Sequence, residues 1–578
     1  MTSLGLDIGC ISVKAALVGD AADTPLFESL LVSHPELFVS PASGLTLAGE
    51  LPVLVTHYHR IKGGPGEATK ALVDELLAAL PTGKVAGVRV TGSGGRLISQ
   101  ALNAGFENEF KAITRAMTAL HPEAHTVFEM GGETSKFIRL EAIDEAGCAG
   151  IVDYQTNGDC AAGTGSFMDQ QASRLLYEIE DVGDIVLDAG KAASIAGRCS
   201  VFAKSDMIHA QQKGYQPPEV LRGLCDAVIR NFKGTIAKGK IVEPPVAFVG
   251  GVAANKGAVK ALREAFDLTD DQLFVPEFHT SMGAIGAALI EHDFDAARDA
   301  ALGGLDPDRL PAADFPVTEP LSMERVVLLR DMAKPYEFAP GVVVDAYMGV
   351  DIGSVSTNVV VIDGEGRVLK EIYTKTDARP VEVVSKALLD VRDDIGARIN
   401  LLGVGTTGSG RELIGELCGA DVITDEITAH KTGADFIGRK IDRQVDTIFE
   451  IGGQDSKFIS LQDGIVVDFA MNEACAAGTG SFLEEQAEKL GISIKGEFAE
   501  LALSSPAPVR LGERCTVFME RDVMAYQQRG ARREDLVGGL AFSIATNYLN
   551  RLVRERTIGS CIFFQGGIVL SERTADGK

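Results

Sequence analysis

The chain has 578 residues, 46% of them hydrophobic and 24% charged, which is enough apolar material for more than one domain with its own core. A formal net charge of -26, with no basic cluster interrupting it, argues against a nucleic-acid partner, because phosphate binding needs a basic face. No basic segment followed by an apolar one opens the chain, and no uninterrupted apolar run reaches the ~18 residues of a membrane span, so the sequence reads as cytoplasmic with no membrane partner.

Residues 4–18 place small apolar residues on both sides of Gly5-Leu6-Asp7-Ile8-Gly9-Cys10-Ile11-Ser12, the pattern of two strands joined by a tight loop. Thr91-Gly92-Ser93-Gly94 and Phe128-Glu129-Met130-Gly131-Gly132-Glu133-Thr134-Ser135-Lys136-Phe137 follow. Next comes Asn157-Gly158-Asp159-Cys160-Ala161-Ala162-Gly163-Thr164-Gly165-Ser166-Phe167, a cysteine ahead of a Gly-Thr-Gly turn. The apolar spacing after it (Phe167, Ala172, Leu175, Leu176) predicts a helix. A second cysteine lies in Arg198-Cys199-Ser200-Val201-Phe202, and Phe248-Val249-Gly250-Gly251-Val252 precedes an Ala-rich helical pattern over residues 282–289.

The same series returns in the same order, so the chain is two copies of one domain. Gly349-Val350-Asp351-Ile352-Gly353-Ser354-Val355-Ser356-Thr357 repeats the first loop, Thr407-Gly408-Ser409-Gly410 the next turn, and Phe449-Glu450-Ile451-Gly452-Gly453-Gln454-Asp455-Ser456-Lys457-Phe458 the third motif. Asn472-Glu473-Ala474-Cys475-Ala476-Ala477-Gly478-Thr479-Gly480-Ser481-Phe482, Arg514-Cys515-Thr516-Val517-Phe518 and Phe564-Gln565-Gly566-Gly567-Ile568 complete it. The expected domains are residues 1–298 and 347–578, the second C-terminally incomplete relative to the first. The connector 299–346 carries Pro307, Pro311, Pro316, Pro320, Pro335 and Pro340, spacing that suits either a segment draped over a surface or a flexible tether.

A strand, a Gly-x-Asp-x-Gly turn and a returning strand leave backbone amides open to an anionic phosphate, here around Gly9 and Ser12 and around Gly353 and Ser356. Asp7 and Asp351 fit beside phosphate only with a divalent cation, normally Mg²⁺, between them. There is no Gly-x4-Gly-Lys-[Ser/Thr] loop, and no Gly-x-Gly-x-x-Gly opens a helix after the first strand. Nine cysteines, an odd number without a Cys-x-x-Cys pair, do not make a secreted disulfide framework. Cys10 faces Ser354 in the other copy, Cys225 faces Ala541, Cys418 faces Ala101 and Cys561 faces Pro245, while Cys148 sits in a poorly matched stretch. Only Cys160, Cys199, Cys475 and Cys515 are matched by cysteine. Four thiolates meet the ligand count of a 4Fe-4S cluster and equally of a zinc site.

This order of loops resembles the sugar kinase, Hsp70 and actin superfamily. The Cys-Ala-Ala-Gly-Thr-Gly-Ser-Phe and Arg-Cys-[Ser/Thr]-Val-Phe motifs are similar to those of the 2-hydroxyacyl-CoA dehydratase activators and the ATP-binding subunits of benzoyl-CoA reductase, the BadF/BadG/BcrA/BcrD-type ATPases. The resemblance implies an α/β fold of two tandem actin-like (ribonuclease H-like) ATPase domains. It implies a second phosphate loop at Gly131 and Gly132 and at Gly452 and Gly453, a further glycine turn at Gly163, Thr164 and Gly165 and at Gly478, Thr479 and Gly480, and an adenosine loop at Gly250, Gly251 and Asn255 and at Gly566 and Gly567. Cys160, Cys199, Cys475 and Cys515 would hold one 4Fe-4S cluster, making the chain a pseudo-dimer.

The family's second phosphate loop reads Gly-Gly-Gln-Asp. Gln454 and Asp455 keep it and become candidates to position the attacking water and contact the metal shell, with Asp351 and Asp7 at the phosphate loops, whereas the first copy has Glu133 and Thr134. The implied activity is an ATPase coupled to electron transfer, from ferredoxin or flavodoxin to an iron-sulfur dehydratase or CoA-ester reductase. The alternatives are a nucleotide-binding regulatory module without turnover, part of a larger reductase, and a small-molecule kinase with Asp455 as base.

Overall fold

The small apolar residues flanking the first glycine turn pair as an antiparallel hairpin, β1 (Thr2–Ile8) and β2 (Ser12–Val18), with Asp7 opposite Lys14. The computed structural model describes residues 2–566 apart from 62–63, 143–148, 158–163, 198–202, 204–205, 208, 212, 295–301, 303–304, 307–314, 325–334, 354, 377–378, 454, 473–478 and 513–515. In it the hairpin is the middle of a 7-stranded sheet. β3 (Thr46–Ala48) and β4 (Leu51–Val55) extend the β2 side, β5 (His59–Arg60) pairs the start of β2, and β6 (Val85–Thr91) and β7 (Gly105–Phe106) run parallel on the β1 side. A 5-stranded sheet follows in the order β10-β9-β8-β11-β12, from β8 (Thr126–Met130), β9 (Ser135–Ala142), β10 (Ala149–Thr156), β11 (Val246–Val249) and β12 (Leu273–Phe274).

The second half repeats this plan. β13 (Val344–Ile352), β14 (Ser356–Asp363), β15 (Val368–Lys375), β16 (Ile399–Thr407) and β17 (Val422–Ile423) form a 5-stranded sheet in the order β15-β14-β13-β16-β17. β18 (Thr447–Ile451), β19 (Ser456–Gln462), β20 (Ile465–Met471) and β21 (Ile562–Gln565) form a 4-stranded one in the order β20-β19-β18-β21.

Six helices matter for the site. In the first half they are α1 (Glu109–Leu120), α2 (Gly165–Arg174) and α3 (Met282–Asp293). In the second half they are α4 (Glu426–Lys440), α5 (Gly480–Lys489) and α6 (Thr516–Gln528). α2 and α5 are the helices expected after the two Cys-Ala-Ala-Gly-Thr-Gly stretches, and α3 is the expected Ala-rich helix. The apolar spacing placed Leu176 on the face of α2; the helix instead ends at Arg174, and Leu176 turns out at φ 63 with 67% of its surface exposed.

The described part of the connector lies against both halves: Leu302 and Leu305 join the core under the first sheet, Phe315 and Leu321 pack against the second-half core, and Val317 bridges Val509. β13 begins at Val344, inside the segment read as connector, because parallel pairing with β16 continues from Asp351↔Thr407 back to Val344↔Ile399. The halves also meet directly. Gln170 of α2 donates to Glu485 of α5 at 2.7 Å, and Gln528 of α6 reaches Ser93 at 3.0 Å and Glu133 at 3.4 Å. Among the described residues no helix is long and apolar enough to cross a membrane.

Candidate functional site

In the first half the two sheets face each other across a cleft of about 210 Å³. It brings together Asp7 and Ser12 from the first hairpin, Gly131 and Gly132 from the β8–β9 turn, Gly165 from α2, and Gly250, Gly251 and Asn255 from the turn after β11. Each loop is held by backbone bonds. The Gly9 N–H donates to the Ser12 carbonyl at 3.0 Å, and Gly131 to that of Thr134 at 2.9 Å. Gly250 sits at φ 93, and a Cβ there would fall 2.4 Å from the Met130 carbonyl oxygen, so only glycine lets this turn lie against the second phosphate loop. Lys14 also lines the cleft, its Nζ 3.5 Å from the Asp7 carboxylate.

The second half builds the same loops, with the Gly353 N–H donating to Ser356 and the Gly452 N–H to Asp455, both at 2.9 Å. Asn358 stands where the first copy has Lys14 and donates to the Asp351 carboxylate at 3.5 Å. Burial raises the pKa of Asp351 above the usual carboxylate range. On the wall between helix and sheet, His430 Nδ1 lies 2.5 Å from Gln565 Oε1, and Gln565 donates in turn to the His430 carbonyl at 3.1 Å. The carboxamide oxygen accepts, so His430 carries its proton on Nδ1, and burial lowers its pKa and keeps the ring neutral. The first copy fills this wall with Ile113 and Val249.

Beside the Gly131–Gly132 turn and beside the Gly452–Gly453 turn lies a buried lysine. Lys136 binds Glu109 at 2.7 Å and Glu129 at 2.8 Å and donates to Thr134 Oγ1 at 2.8 Å. Lys457 binds Glu426 at 2.7 Å, Asp455 at 2.9 Å and Glu450 at 3.2 Å. One ammonium thus faces three carboxylates, of which Asp455 is partly exposed. Burial raises the pKa of Glu450, the most enclosed of them, to about 7, although Lys457 pulls it down.

Cys160, Cys199, Cys475 and Cys515 lie outside the described residues, as do Gly163, Gly478, Gln454 and Gly567. Both flanks of the two Cys-Ala-Ala-Gly-Thr-Gly stretches are described. Before the first, Asn157 accepts from the buried Ser135 N–H at 2.9 Å; before the second, Asn472 accepts from Ser456 at 2.8 Å. After them, Gly165 and Ser166 donate to the Gly131 and Gly132 carbonyls at 2.8 and 2.9 Å, and Gly480 and Ser481 to those of Gly452 and Gly453 at 2.8 and 2.7 Å. Thr164 and Thr479 begin the two helices. Each cysteine stretch is therefore clamped at both ends to the β8–β9 or the β18–β19 hairpin.

Gln170 and Glu485 each lie ten residues beyond their cysteine, so their contact joins equivalent positions of the two copies. The neighbouring residues make matched ion pairs, Arg60 with Asp169 and Lys375 with Glu484, and Arg60 and Lys375 both pair in register with the phosphate-loop serines Ser12 and Ser356. Among the described residues no group of three or more His, Cys, Asp and Glu could hold a metal. Cys10, Cys225, Cys418 and Cys561 are free thiols, and burial pushes Cys225 up to about 12, the behaviour of a small hydrophobe.

The BadF/BadG/BcrA/BcrD ATPase family model matches this chain twice, over residues 4–290 and residues 348–576. The chain belongs to this family. The two halves are accordingly tandem domains of this family. Among relatives, the (R)-2-hydroxyglutaryl-CoA dehydratase activating ATPase of Acidaminococcus fermentans is 30% identical over 38% of this chain and 82% of its own length. An uncharacterized protein of Methanocaldococcus jannaschii is 33% identical over 38% of this chain, and the match spans 52% of it, about half. A solved activator of 2-hydroxyisocaproyl-CoA dehydratase from Clostridium difficile with bound ADPNP shares 24% identity, with a TM-score of 0.41 over 51% of this chain and 95% of that one.

Position-by-position comparison of the copies would have singled out Lys14 against Asn358 and Ile113 against His430; motif reading passed over them because they lie between the glycine turns.

Proposed function

We propose that this BadF/BadG/BcrA/BcrD ATPase is an ATP-dependent activator that passes a low-potential electron to a 2-hydroxyacyl-CoA dehydratase or related CoA-ester reductase. The observation that carries this reading is the clamping of each Cys-Ala-Ala-Gly-Thr-Gly stretch between an asparagine and a phosphate loop, repeated in both halves. Cys160, Cys199, Cys475 and Cys515 would hold the cluster, their thiolates being the donors iron-sulfur chemistry needs. Held there, a 4Fe-4S cluster would supply one-electron storage between ferredoxin or flavodoxin and the acceptor enzyme.

The chain's own residues supply the coupling. Phosphate in the first-half cleft faces Lys14 and the amides of Gly131 and Gly132, whose carbonyls hold the start of α2. A shift of that loop on nucleotide binding moves α2, and α2 abuts α5 through Gln170 and Glu485. Glu133, on the same loop, also touches Gln528 of α6, the helix that follows Cys515. Turnover is assigned to the second half, where Asp351, Asp455 and the His430–Gln565 pair offer polar groups to orient water; the first half has Thr134, Ile113 and Val249 there.

Anaerobic reconstitution tests the reading. About four irons per chain on a monomeric species are expected, with loss of the cluster in Cys475→Ser. About two irons per chain on an obligate dimer would exclude a cluster held within one chain, and absence of iron would exclude the electron-transfer role altogether.

A further inference from the structure

The rim of the first-half cleft is tied across by side chains. Tyr58 and Arg60 stand on the first-sheet side, the arginine in β5 and the tyrosine just before it. Asp169 of α2 and Glu180 of the short helix Ile179–Ile185 stand opposite, and Ile179 anchors that helix to the core under the second sheet. All four line the cleft. The Tyr58 hydroxyl donates to the Glu180 carboxylate at 2.6 Å, while Arg60 pairs with Asp169 and lies 3.6 Å from Glu180. Tyr58 is 41% exposed and the Glu180 side chain 50%, against 17% for Asp7 at the phosphate loop, so these bonds span the mouth of the cleft and not its floor.

The second copy keeps the same positions in contact with different chemistry. Lys375 pairs opposite Ser356 as Arg60 pairs opposite Ser12, which puts Tyr373 at the place of Tyr58. Glu484 and Lys495 follow Gly480 at the spacing by which Asp169 and Glu180 follow Gly165. Lys375 pairs with Glu484, and Lys495 Nζ stands 5.4 Å from the centre of the Tyr373 ring, within cation–π range. A carboxylate accepting from the tyrosine hydroxyl in one copy is thus a cation over the tyrosine ring in the other. Pairs this exposed add little to stability. A bridge kept through a reversal of charge therefore points to a role at the cleft.

We infer, on the reading of this cleft as a nucleotide site, that Tyr58–Glu180 backed by Arg60–Asp169 is a latch that slows the departure of its nucleotide. Hinged opening parts the two sheets, and each of these bonds must break before the mouth widens. Arg60 carries the effect inward, because its backbone pairs with Ser12 of the phosphate loop.

The chain contains no tryptophan, so Leu187→Trp, just beyond the short helix, supplies a single donor for energy transfer to N-methylanthraniloyl-ADP in the first cleft. In that background, a chase with ADP should show release at least roughly threefold faster in Tyr58→Phe, which removes only the hydroxyl, and in Glu180→Ala. The double variant should release no faster than Glu180→Ala, which already lacks the bond. Glu180→Lys should release more slowly than Glu180→Ala, with or without the Tyr58 hydroxyl, since a cation needs only the ring. Unchanged release in both single variants, or effects that multiply in the double variant, overturns the latch and leaves the nucleotide site standing. Absence of any binding of the analogue overturns the nucleotide reading and the latch with it.

Discussion

At the residue scale, Lys457 beside the Gly452–Gly453 turn binds three carboxylates, and one of these, Glu450, is pushed up to about 7 by its burial. A carboxylic acid raised from 4.5 in the unfolded chain stabilises the fold fully below that value, and the contribution is lost as pH rises through about 7. The shift is worth up to ~3 kcal/mol. Urea midpoints measured from pH 5 to 8 should therefore fall less steeply with pH for Glu450→Gln than for the native chain, and parallel slopes would show that Glu450 does not hold the proton. The first half has Thr134 at the matching place and, among the described residues, two carboxylates on Lys136, so its balance differs.

At the scale of elements, the short connection from β10 to α2, and from β20 to α5, bears the cysteine. Its entry is fixed by an asparagine that accepts from a buried backbone N–H, Ser135 in one half and Ser456 in the other. Asn472→Ala takes away that acceptor and should cost about 1–3 kcal/mol of stability. If the clamp also holds a cluster ligand in place, the variant loses iron to a chelator faster than the native protein while ATP binding persists. Unchanged iron release would confine Asn472 to a folding role. The matched pairs Arg60–Asp169 and Lys375–Glu484 tie the same helices to the strand beside the first phosphate loop, so both loops of each half bear on the helix after the cysteine.

At the scale of the whole molecule, duplication has left two unlike sets of glycine turns. The first has a cation, Lys14, facing Asp7 and an apolar wall; the second has Asn358 there and the His430–Gln565 pair on the wall. A fixed cation offsets phosphate charge and favours holding nucleotide, whereas polar groups facing the phosphate region favour turnover. Asp351→Asn should lower ATP hydrolysis at least roughly tenfold more than Asp7→Asn does. Equal losses in a steady-state ATPase assay would refute division of labour between the halves. Lys14→Met should weaken nucleotide binding to the first cleft, a change visible by titration calorimetry as the loss of one of two binding events.

By itself the sequence determined the duplication, the α/β repeat, the glycine turns, the cysteine pairing and so the family, since each is a run of chemically distinctive residues close together in the chain. The unpaired Cys225 was equally legible as core. Only the tertiary structure decided that His430 finds Gln565 and that Gln170 meets Glu485. Those partners are 135 and 315 residues apart in the chain, and no local period relates them.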